Sequence, residues 1–370
     1  MRDHPAVPDP LPVLWLCGPA GVGKSTVGWD LFTRLPGAAY VDIDQLGMCY
    51  PEIPTDPGRT VLEARILGRV VANVAAAGAG CLIVSGYIDS RRGIHTEHLG
   101  GAELSVLRLR CDRPELRRRL KVRARPGEQR DEILREAEAL DHGGLPYPVL
   151  DTTARTPAEV LAAVRSRWPA HPARQPGFWP EPVPATGDIV WVCGATAAGK
   201  STVGWQVAQA SLRAGHTTGF VDLEQIGFVQ PWPRQASVNH RLIAANLAAV
   251  WEHFTAYGAG RLVVVGTVEQ AGEVQLYADA LRGATLTLYR LHPSPEQLRG
   301  QIRQRGLGGG PGIAGDQLRG QPEVVLDQAH QAAVAQSVAL ERNGIADVRV
   351  DAAGRTPEDL AAEIVKASGW

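Results

Sequence analysis

The chain has 370 residues, 44% of them hydrophobic and 21% charged, with a formal net charge of −1 at pH 7. This length is typical of about two domains, and a net charge near zero removes the electrostatic case for a nucleic-acid partner. No apolar run approaches the roughly 20 residues that span a bilayer, and residues 1–5 lack the apolar core of a secretion signal. We therefore expect a cytoplasmic protein with no membrane partner. Buried free thiols are expected at the five cysteines, which form no C-x-x-C pair: Cys17, Cys49, Cys81, Cys111 and Cys193.

In chain order, the first half alternates short apolar runs with segments of helical periodicity. The predicted strands are Val13–Cys17, Ala39–Ile43, Cys81–Ser85, Leu104–Leu109 and Val149–Asp151. The predicted helices are Ser25–Leu35, Thr60–Ala77, Pro114–Val122, Ile133–Leu140 and one that begins after the N-cap Thr156. This alternation predicts a parallel sheet with helices on both faces.

The second half repeats the first. Val41–Gly47 returns as Val221–Gly227, and the end of the first half, Asp151–Pro157, returns as Asp351–Pro357. The matching segments keep their order along the chain at offsets of about 180 to 200 residues, which predicts a tandem duplication. The proline-rich stretch between the halves predicts a semi-rigid linker. The predicted domains are residues 1–168 and 188–370, joined by a linker of residues 169–187.

Each half carries the pattern G-x-x-x-x-G-K-S between an apolar run and a helical segment. In that context the pattern is the P-loop (Walker A) motif, whose backbone N–H groups surround phosphate oxygens at the start of a helix. A glycine-rich turn that matches by chance is the alternative. The candidate nucleotide-binding residues are Gly18, Ala20, Gly21, Val22, Gly23, Lys24, Ser25 and Thr26, and Gly194, Thr196, Ala197, Ala198, Gly199, Lys200, Ser201 and Thr202.

The motif assigns chemical roles to the residues at its end. Two of the chain's four lysines, Lys24 and Lys200, stand at the position that reaches the β- and γ-phosphates. Ser25 and Ser201 stand at the position that ligates Mg²⁺. ATP and Mg²⁺ are therefore the expected cofactors.

An acidic pair follows the second predicted strand of each half: Asp42 and Asp44, then Asp222 and Glu224. Residues two apart on an extended segment share a face, and the carboxyl edge of an open α/β sheet is where ligands bind. The alternative is a solvated turn. Neither half has the Asn-Lys-x-Asp motif of GTPases, or the strand ending in Asp-Glu that motor and AAA-type ATPases usually carry.

The P-loop with Asp42-Ile43-Asp44 resembles the small P-loop kinases, the group of shikimate, gluconate and nucleoside or nucleotide kinases. The resemblance implies two tandem P-loop NTPase domains, each a five-stranded parallel sheet of order 2-3-1-4-5 covered by helices. It also implies ATP- and Mg²⁺-dependent phosphorylation of a small molecule. Asp42 would support the Mg²⁺ site through water, as would Asp222, and Asp44 would hold or deprotonate the acceptor hydroxyl.

The same resemblance implies a mobile lid with arginines that close over ATP. Candidates are Arg117, Arg118, Arg119, Arg123 and Arg125, and Arg299, Arg303 and Arg305. We prefer Arg123 and Arg305, near the helix ends, against the alternative of a solvated basic helix face. Arg155 and Arg355 follow the last strand, where their planes could stack on adenine.

The two halves differ in ways that favour the first as the catalyst. Glu224 replaces Asp44, and the second lid region is rich in glycine (Gly306–Gly312). We predict a phosphotransferase whose acceptor is a small hydroxylated metabolite or nucleoside. The alternative is a nucleotide-binding regulatory or interaction protein, an ATPase or pseudokinase without an acceptor. The sequence assigns neither the acceptor nor an oligomeric state.

Overall fold

The computed structural model describes residues 9–123, 130–231, 236–310 and 315–370, and its contacts divide the chain into two compact units. Unit 1 comprises Met1–Asp44, Gly58–Pro180 and Phe228–Gln235. Unit 2 comprises Gln45–Pro57, Glu181–Gly227 and Ala236–Trp370. Each unit thus includes a short segment from the opposite half of the sequence.

The first half of the chain contains the predicted elements, with ends that shift by up to three residues. Its strands are β1 (Leu11–Cys17), β2 (Ala38–Asp42), β3 (Cys49–Tyr50), β4 (Cys81–Gly86), β5 (Ala102–Arg110) and β6 (Val149–Asp151). Its helices are α1 (Lys24–Arg34), α2 (Thr60–Ala76), α3 (Arg113–Arg123), α4 (Arg130–His142) and α5 (Pro157–Arg165). The two-residue strand β3 was not predicted.

The second half follows the same order, with one additional helix, α8, between its strands β10 and β11. Its strands are β7 (Gly187–Gly194), β8 (Thr218–Asp222), β9 (Phe228–Val229), β10 (Arg261–Val265), β11 (Ala284–His292) and β12 (Val348–Asp351). Its helices are α6 (Lys200–Arg213), α7 (Ala236–Ala256), α8 (Ala271–Ala280), α9 (Pro295–Gly306), α10 (Glu323–Arg342) and α11 (Pro357–Ser368).

Among the described residues, unit 1 contains a six-stranded sheet of order β6-β5-β1-β4-β2-β9. Its five strands from the first half are parallel and have the predicted order 2-3-1-4-5. Every residue of β1 and β4 is buried, as expected for parallel strands covered on both faces. The predicted count of five is one strand short, because the antiparallel β9 extends the sheet beside β2.

The sheet of unit 2 has the order β12-β11-β7-β10-β8-β3, and its sixth strand, β3, is antiparallel to β8. The two sheets therefore have the same plan, each ending in a two-residue strand from the other half of the sequence. The prediction of two tandem α/β P-loop folds is confirmed.

The added strands are fixed by both backbone and side-chain contacts. In unit 1, Ala39 pairs with Val229 and Tyr40 with Phe228, and the Phe228 ring lies 4.8 Å from that of Trp29 between centroids. In unit 2, Cys49 pairs with Gly219, and the Phe220 N–H donates to the carbonyl of Met48 at 2.8 Å. Hence the outer edge of each second strand is paired.

The proline-rich segment between α5 and β7 has neither helix nor strand, and part of it packs closely on unit 1. The N–H of Arg174 donates to the carbonyl of Gly78 at 2.9 Å, and that of Gly177 to Ala76 at 3.0 Å. A Cβ on Gly80 would lie 2.1 Å from the carbonyl oxygen of Pro172. The glycines of unit 1 thus provide the space in which this segment lies.

Other sequence predictions are met within the described residues. Thr156 and Glu159 form the predicted capping box at the start of α5. All five cysteines are buried, and none of them forms a disulfide. In the part of the chain that the structure describes, no helix is both long enough and apolar enough to span a membrane.

We predict that Phe228→Ala will destabilise unit 1, although Phe228 belongs to the second half of the sequence. Removing a buried Phe side chain costs about 3–5 kcal/mol, and here the ring also packs on Trp29, Phe32 and Tyr40. Hydrogen exchange should show faster exchange of the β2 amides. The control is Phe254→Ala, which removes an equally buried ring of unit 2. Equal loss of β2 protection in both variants would contradict the prediction.

Candidate functional site

The first P-loop connects β1 to α1 with a backbone that requires glycine. Gly18 has φ +138°, and a Cβ there would lie 2.3 Å from the carbonyl oxygen of Leu109. Gly21 and Gly23 also have positive φ, and Gly23 precedes α1 without a side-chain cap. The first N–H groups of a helix need partners, so the start of α1 is suited to an anion.

The second P-loop has the same form before α6. Gly194 has φ +151°, and Gly199 precedes α6 in the left-handed region, again without a side-chain cap. Ala197 takes a positive φ of 62°, a conformation that is uncommon for residues other than glycine. Both predicted nucleotide-binding loops are therefore present as strand–loop–helix units.

The two P-loop lysines lie across their own loops. Lys24 Nζ donates to the carbonyls of Gly18 at 2.7 Å and Pro19 at 3.0 Å. Lys200 Nζ donates to the carbonyl of Ala195 at 3.1 Å and lies 4.0 Å from Glu224 Oε1. Burial lowers the pKa of Lys24, and the charges of Asp44 and Asp42 oppose this change.

Each P-loop serine is bonded to the first acid of its pair. Ser25 Oγ donates to Asp42 Oδ2 at 3.2 Å, and Ser201 Oγ donates to Asp222 Oδ2 at 3.0 Å. Burial, then the charge of Asp44, raises the pKa of Asp42 to about 6. Burial and Glu224 do the same for Asp222. A hydroxyl beside a carboxylate supplies the hard oxygen donors that suit Mg²⁺.

The acidic pairs do not lie on one face of an extended strand, and that expectation was wrong. β2 ends at Asp42, and Ile43–Gln45 form a turn of 3₁₀ helix. Asp42 Oδ1 accepts the Asp44 N–H at 3.2 Å, and Asp222 Oδ1 accepts the Glu224 N–H at 3.0 Å. This local bond turns the chain directly after the strand. The second acid of each pair is exposed.

Sequence reasoning missed Glu136, on α4, as a member of the first site. Its carboxyl is half-buried, and burial is the main cause that raises the pKa of Glu136 to about 7, with Asp44 adding to it and Lys24 opposing it. Tyr87, directly after β4, is a further neighbour, and its pKa is raised to about 12 by burial and by Glu136. A carboxyl with a pKa near neutrality beside the P-loop lysine is a common property of functional sites.

Most of the predicted lid arginines that the structure describes are engaged in ion pairs. Arg118 and Arg119 pair with Glu115, Arg303 pairs with Glu323, and Arg305 pairs with Asp316 at 2.9 Å. Arg119 also donates to the carbonyl of Thr152 at 2.7 Å. Arg123 ends α3, but its side chain and Arg125 lie outside what the structure describes. The proposed lid role of Arg123 stays a prediction.

The two arginines expected near adenine differ from one another. Arg155 is exposed after β6. Arg355 is held by the Asp351 carbonyl at 3.1 Å, the Asp359 carbonyl at 3.2 Å and the Glu363 carboxylate. Stacking on a base stays a prediction for both.

We predict that Gly18→Ala will destabilise unit 1 and weaken nucleotide binding at its P-loop. The new Cβ would meet the Leu109 carbonyl at 2.3 Å in a backbone conformation that L-residues rarely adopt. Such strain costs roughly 1–3 kcal/mol. Calorimetric unfolding and titration with a fluorescent ATP analogue measure both effects. Gly100→Ala, at an open and exposed position, should change neither. Wild-type stability in Gly18→Ala would refute the prediction.

Comparison with known proteins gives one family match, at residues 13–141, to a model described as an AAA domain (AAA_33). A search of the curated proteins finds no match.

Similar solved structures each cover about half of this chain. The tunicamycin resistance protein of Deinococcus radiodurans is 20% identical, covering 44% of this chain and 98% of its own, with a TM-score of 0.35. A gluconokinase from Sinorhizobium meliloti 1021 is 19% identical, covering 50% and 91%, with a TM-score of 0.32. Shikimate kinase from Bacteroides thetaiotaomicron is 14% identical, covering 49% and 98%, with a TM-score of 0.33.

The family match lies on the first P-loop, acidic pair and α4, which the fold brings into one unit. The strand order and the two P-loops agree with the resemblance that the sequence indicated. The chain thus contains two P-loop α/β units, and the first of them matches the AAA_33 family model over residues 13–141.

Proposed function

We propose that the chain is an ATP- and Mg²⁺-dependent phosphotransferase that acts on a small hydroxylated metabolite or nucleoside, with transfer in unit 1. The observation that carries the proposal is the set of charged groups at the first P-loop. The charges of Asp42, Asp44 and Glu136 all act on the Lys24 ammonium. Phosphoryl transfer needs a cation that binds the phosphates and a carboxylate that binds or deprotonates the acceptor hydroxyl, and this set contains both.

The residues present fit a bound Mg²⁺. Ser25 Oγ would be a direct ligand, and Asp42, which already contacts that hydroxyl, would hold a coordinated water. When bound, the ion would neutralise charge on the phosphates. In the second unit Ser201 and Asp222 would take the same positions.

The protein's own groups would do the rest by positioning and charge. Loop N–H groups and Lys24 would hold the phosphates of ATP. The acceptor oxygen would form a bond to the γ-phosphorus as the bond to the ADP oxygen breaks. The acceptor proton would pass to the Asp44 carboxylate, which is exposed at the edge of the site. Such transfer depends mainly on alignment and electrostatics.

The acceptor would lie beside acidic groups in unit 1. The carboxylates of Asp44 and Glu136 make the local electrostatic potential more negative. Glu136, whose pKa is about 7, is partly ionised at neutral pH. Glu136 would therefore hold acceptor hydroxyls by accepting hydrogen bonds, and would disfavour an acceptor carboxylate by charge repulsion.

A screen of purified protein with γ-labelled ATP and pooled metabolites tests the proposal. Label transferred to a small hydroxylated compound would support it. Release of phosphate alone, unchanged by every pool, would favour the alternative, a regulatory or interaction protein that binds or hydrolyses ATP without an acceptor.

We predict that both P-loops bind adenine nucleotide with Mg²⁺. Calorimetry on the wild type should give two sites. Lys24→Ala and Lys200→Ala should each remove one, because each lysine lies on its own loop. Val122→Ala, at an exposed side chain of α3, is the control and should keep both sites. A wild-type stoichiometry of one would contradict this prediction.

We also predict that Asp44→Asn will lower kcat by roughly 10²- to 10⁴-fold, the usual contribution of a general base. ATP affinity should stay nearly unchanged, because Asp42, not Asp44, contacts Ser25. Asp42→Asn should instead weaken the Mg²⁺-dependent part of ATP binding. Stopped-flow transfer to an acceptor found by the screen measures the first effect, and calorimetry with and without Mg²⁺ the second.

Glu224→Gln is the matched control in unit 2. Its side chain is one methylene longer than that of Asp44, and a displacement of about 1 Å can cost 10²-fold in rate, so this variant should change kcat little. Survival of activity in Asp44→Asn with loss in Glu224→Gln would place catalysis in unit 2.

A further inference from the structure

The second P-loop is bonded to a side chain of its own unit. Gln336, on α10, accepts hydrogen bonds at Oε1 from the Thr196 N–H at 2.7 Å and from Thr196 Oγ at 3.2 Å. Its Nε2 donates to Glu269 Oε1 at 2.6 Å. The Gln336 amide therefore links the P-loop to the segment that follows β10.

That segment is also held by the residue that caps the C-terminal end of α10. Asn343 Nδ2 donates to the Glu269 carbonyl at 2.8 Å. Glu269 is thus held through both its side chain and its backbone. Its Oε1 atom is therefore a well-positioned acceptor for Gln336 Nε2. A side chain held at both ends is a more stable partner for the Thr196 N–H than a free exposed glutamine.

Two ion pairs identify the equivalent residue in unit 1. Arg108 lies opposite Cys17 in the sheet and pairs with Asp141 of α4. Arg290 lies opposite Cys193 and pairs with Glu341 of α10. Asp141 and Glu341 are therefore equivalent, with an offset of 200 residues, and the residue that matches Gln336 is Glu136.

The equivalent contact is absent from unit 1, among the residues that the structure describes. Ala20 replaces Thr196 and has no hydroxyl, and no hydrogen bond joins its N–H to Glu136. Among the described residues no hydrogen bond joins Glu136 to Asp89, which stands where Glu269 stands in unit 2. The Asp89 Oδ1 atom accepts the N–H groups of Arg91 and Arg92 instead. The loop of unit 1 is not held in this way.

We propose that Gln336 is a latch on the second P-loop, and that binding of a nucleoside triphosphate in unit 2 must displace it from Thr196. A P-loop binds phosphate with its backbone N–H groups, and Gln336 occupies one of them. The cost of breaking these bonds reduces the apparent affinity of unit 2. The inference rests on the proposed nucleotide binding at both loops, and it makes unit 2 the weaker nucleotide site.

The test uses full-length protein with Lys24→Ala, so that unit 2 alone binds. Affinity for Mg²⁺ with a non-hydrolysable ATP analogue is measured by calorimetry in this parent and after adding Gln336→Ala or Gln336→Leu. Leucine keeps the bulk of the side chain without its hydrogen bonds, and it serves if the alanine variant folds poorly. Since two neutral hydrogen bonds are lost, both variants should bind about tenfold more tightly. Gln331→Ala, at an exposed position of the same helix, should bind as the parent does.

Hydrogen exchange at the Thr196 amide is a second readout, independent of nucleotide. Exchange should accelerate in both Gln336 variants and stay unchanged in Gln331→Ala. Unchanged or weaker affinity in both Gln336 variants, or no binding in any of them, would overturn the latch. Phosphoryl transfer by unit 1, measured separately with Lys200→Ala, would be untouched by that result, so failure of the latch and failure of the proposed function are distinguishable.

Discussion

The hydrogen bond between the P-loop serine and the first acid of each pair is the contact on which both sites depend. It joins the first turn of the helix after the P-loop to the end of the second strand, in Ser25–Asp42 and in Ser201–Asp222. The acid can reach the hydroxyl only because the sheet order leaves one strand, β4 or β10, between the P-loop strand and the acidic strand. Desolvation of these acids is the cost of that placement, and it appears as their raised pKa.

Much of the fold could be predicted because its signals are local. Buried parallel strands appear as short apolar runs, P-loops as glycine patterns, and the start of α5 as a capping box. The order of the five parallel strands came from the family resemblance. The strands β3 and β9 could not be predicted, because two residues have no periodicity and their pairing partners lie far away in the sequence.

The candidate site was predicted in part for similar reasons. The P-loops and the acidic pairs have similar sequences in both halves. Glu136 and Gln336, in contrast, are different residue types and lie on helices of unequal length. The offset between matching residues rises from near 180 to 200 before the last strand, so a constant offset hides their equivalence. The turn after Asp42 was also missed. It forms because the Asp42 carboxylate accepts a hydrogen bond from the Asp44 N–H, and this local bond competes with extension of the strand. The structure shows the equivalence through two matching ion pairs, Arg108–Asp141 and Arg290–Glu341.

Because β9 comes from the second half of the chain, the sheet of unit 1 cannot be completed on the ribosome until much of the second half has been made. Domains generally fold from the N-terminus as they are made. The outer edge of β2, however, has no strand partner until Phe228 and Val229 emerge, after the whole second P-loop. An open strand edge is a template for pairing with another chain. A gene that encoded one half alone would supply such an edge and also a strand to cover it. Two copies of such a half could then complete one another, as in domain swapping.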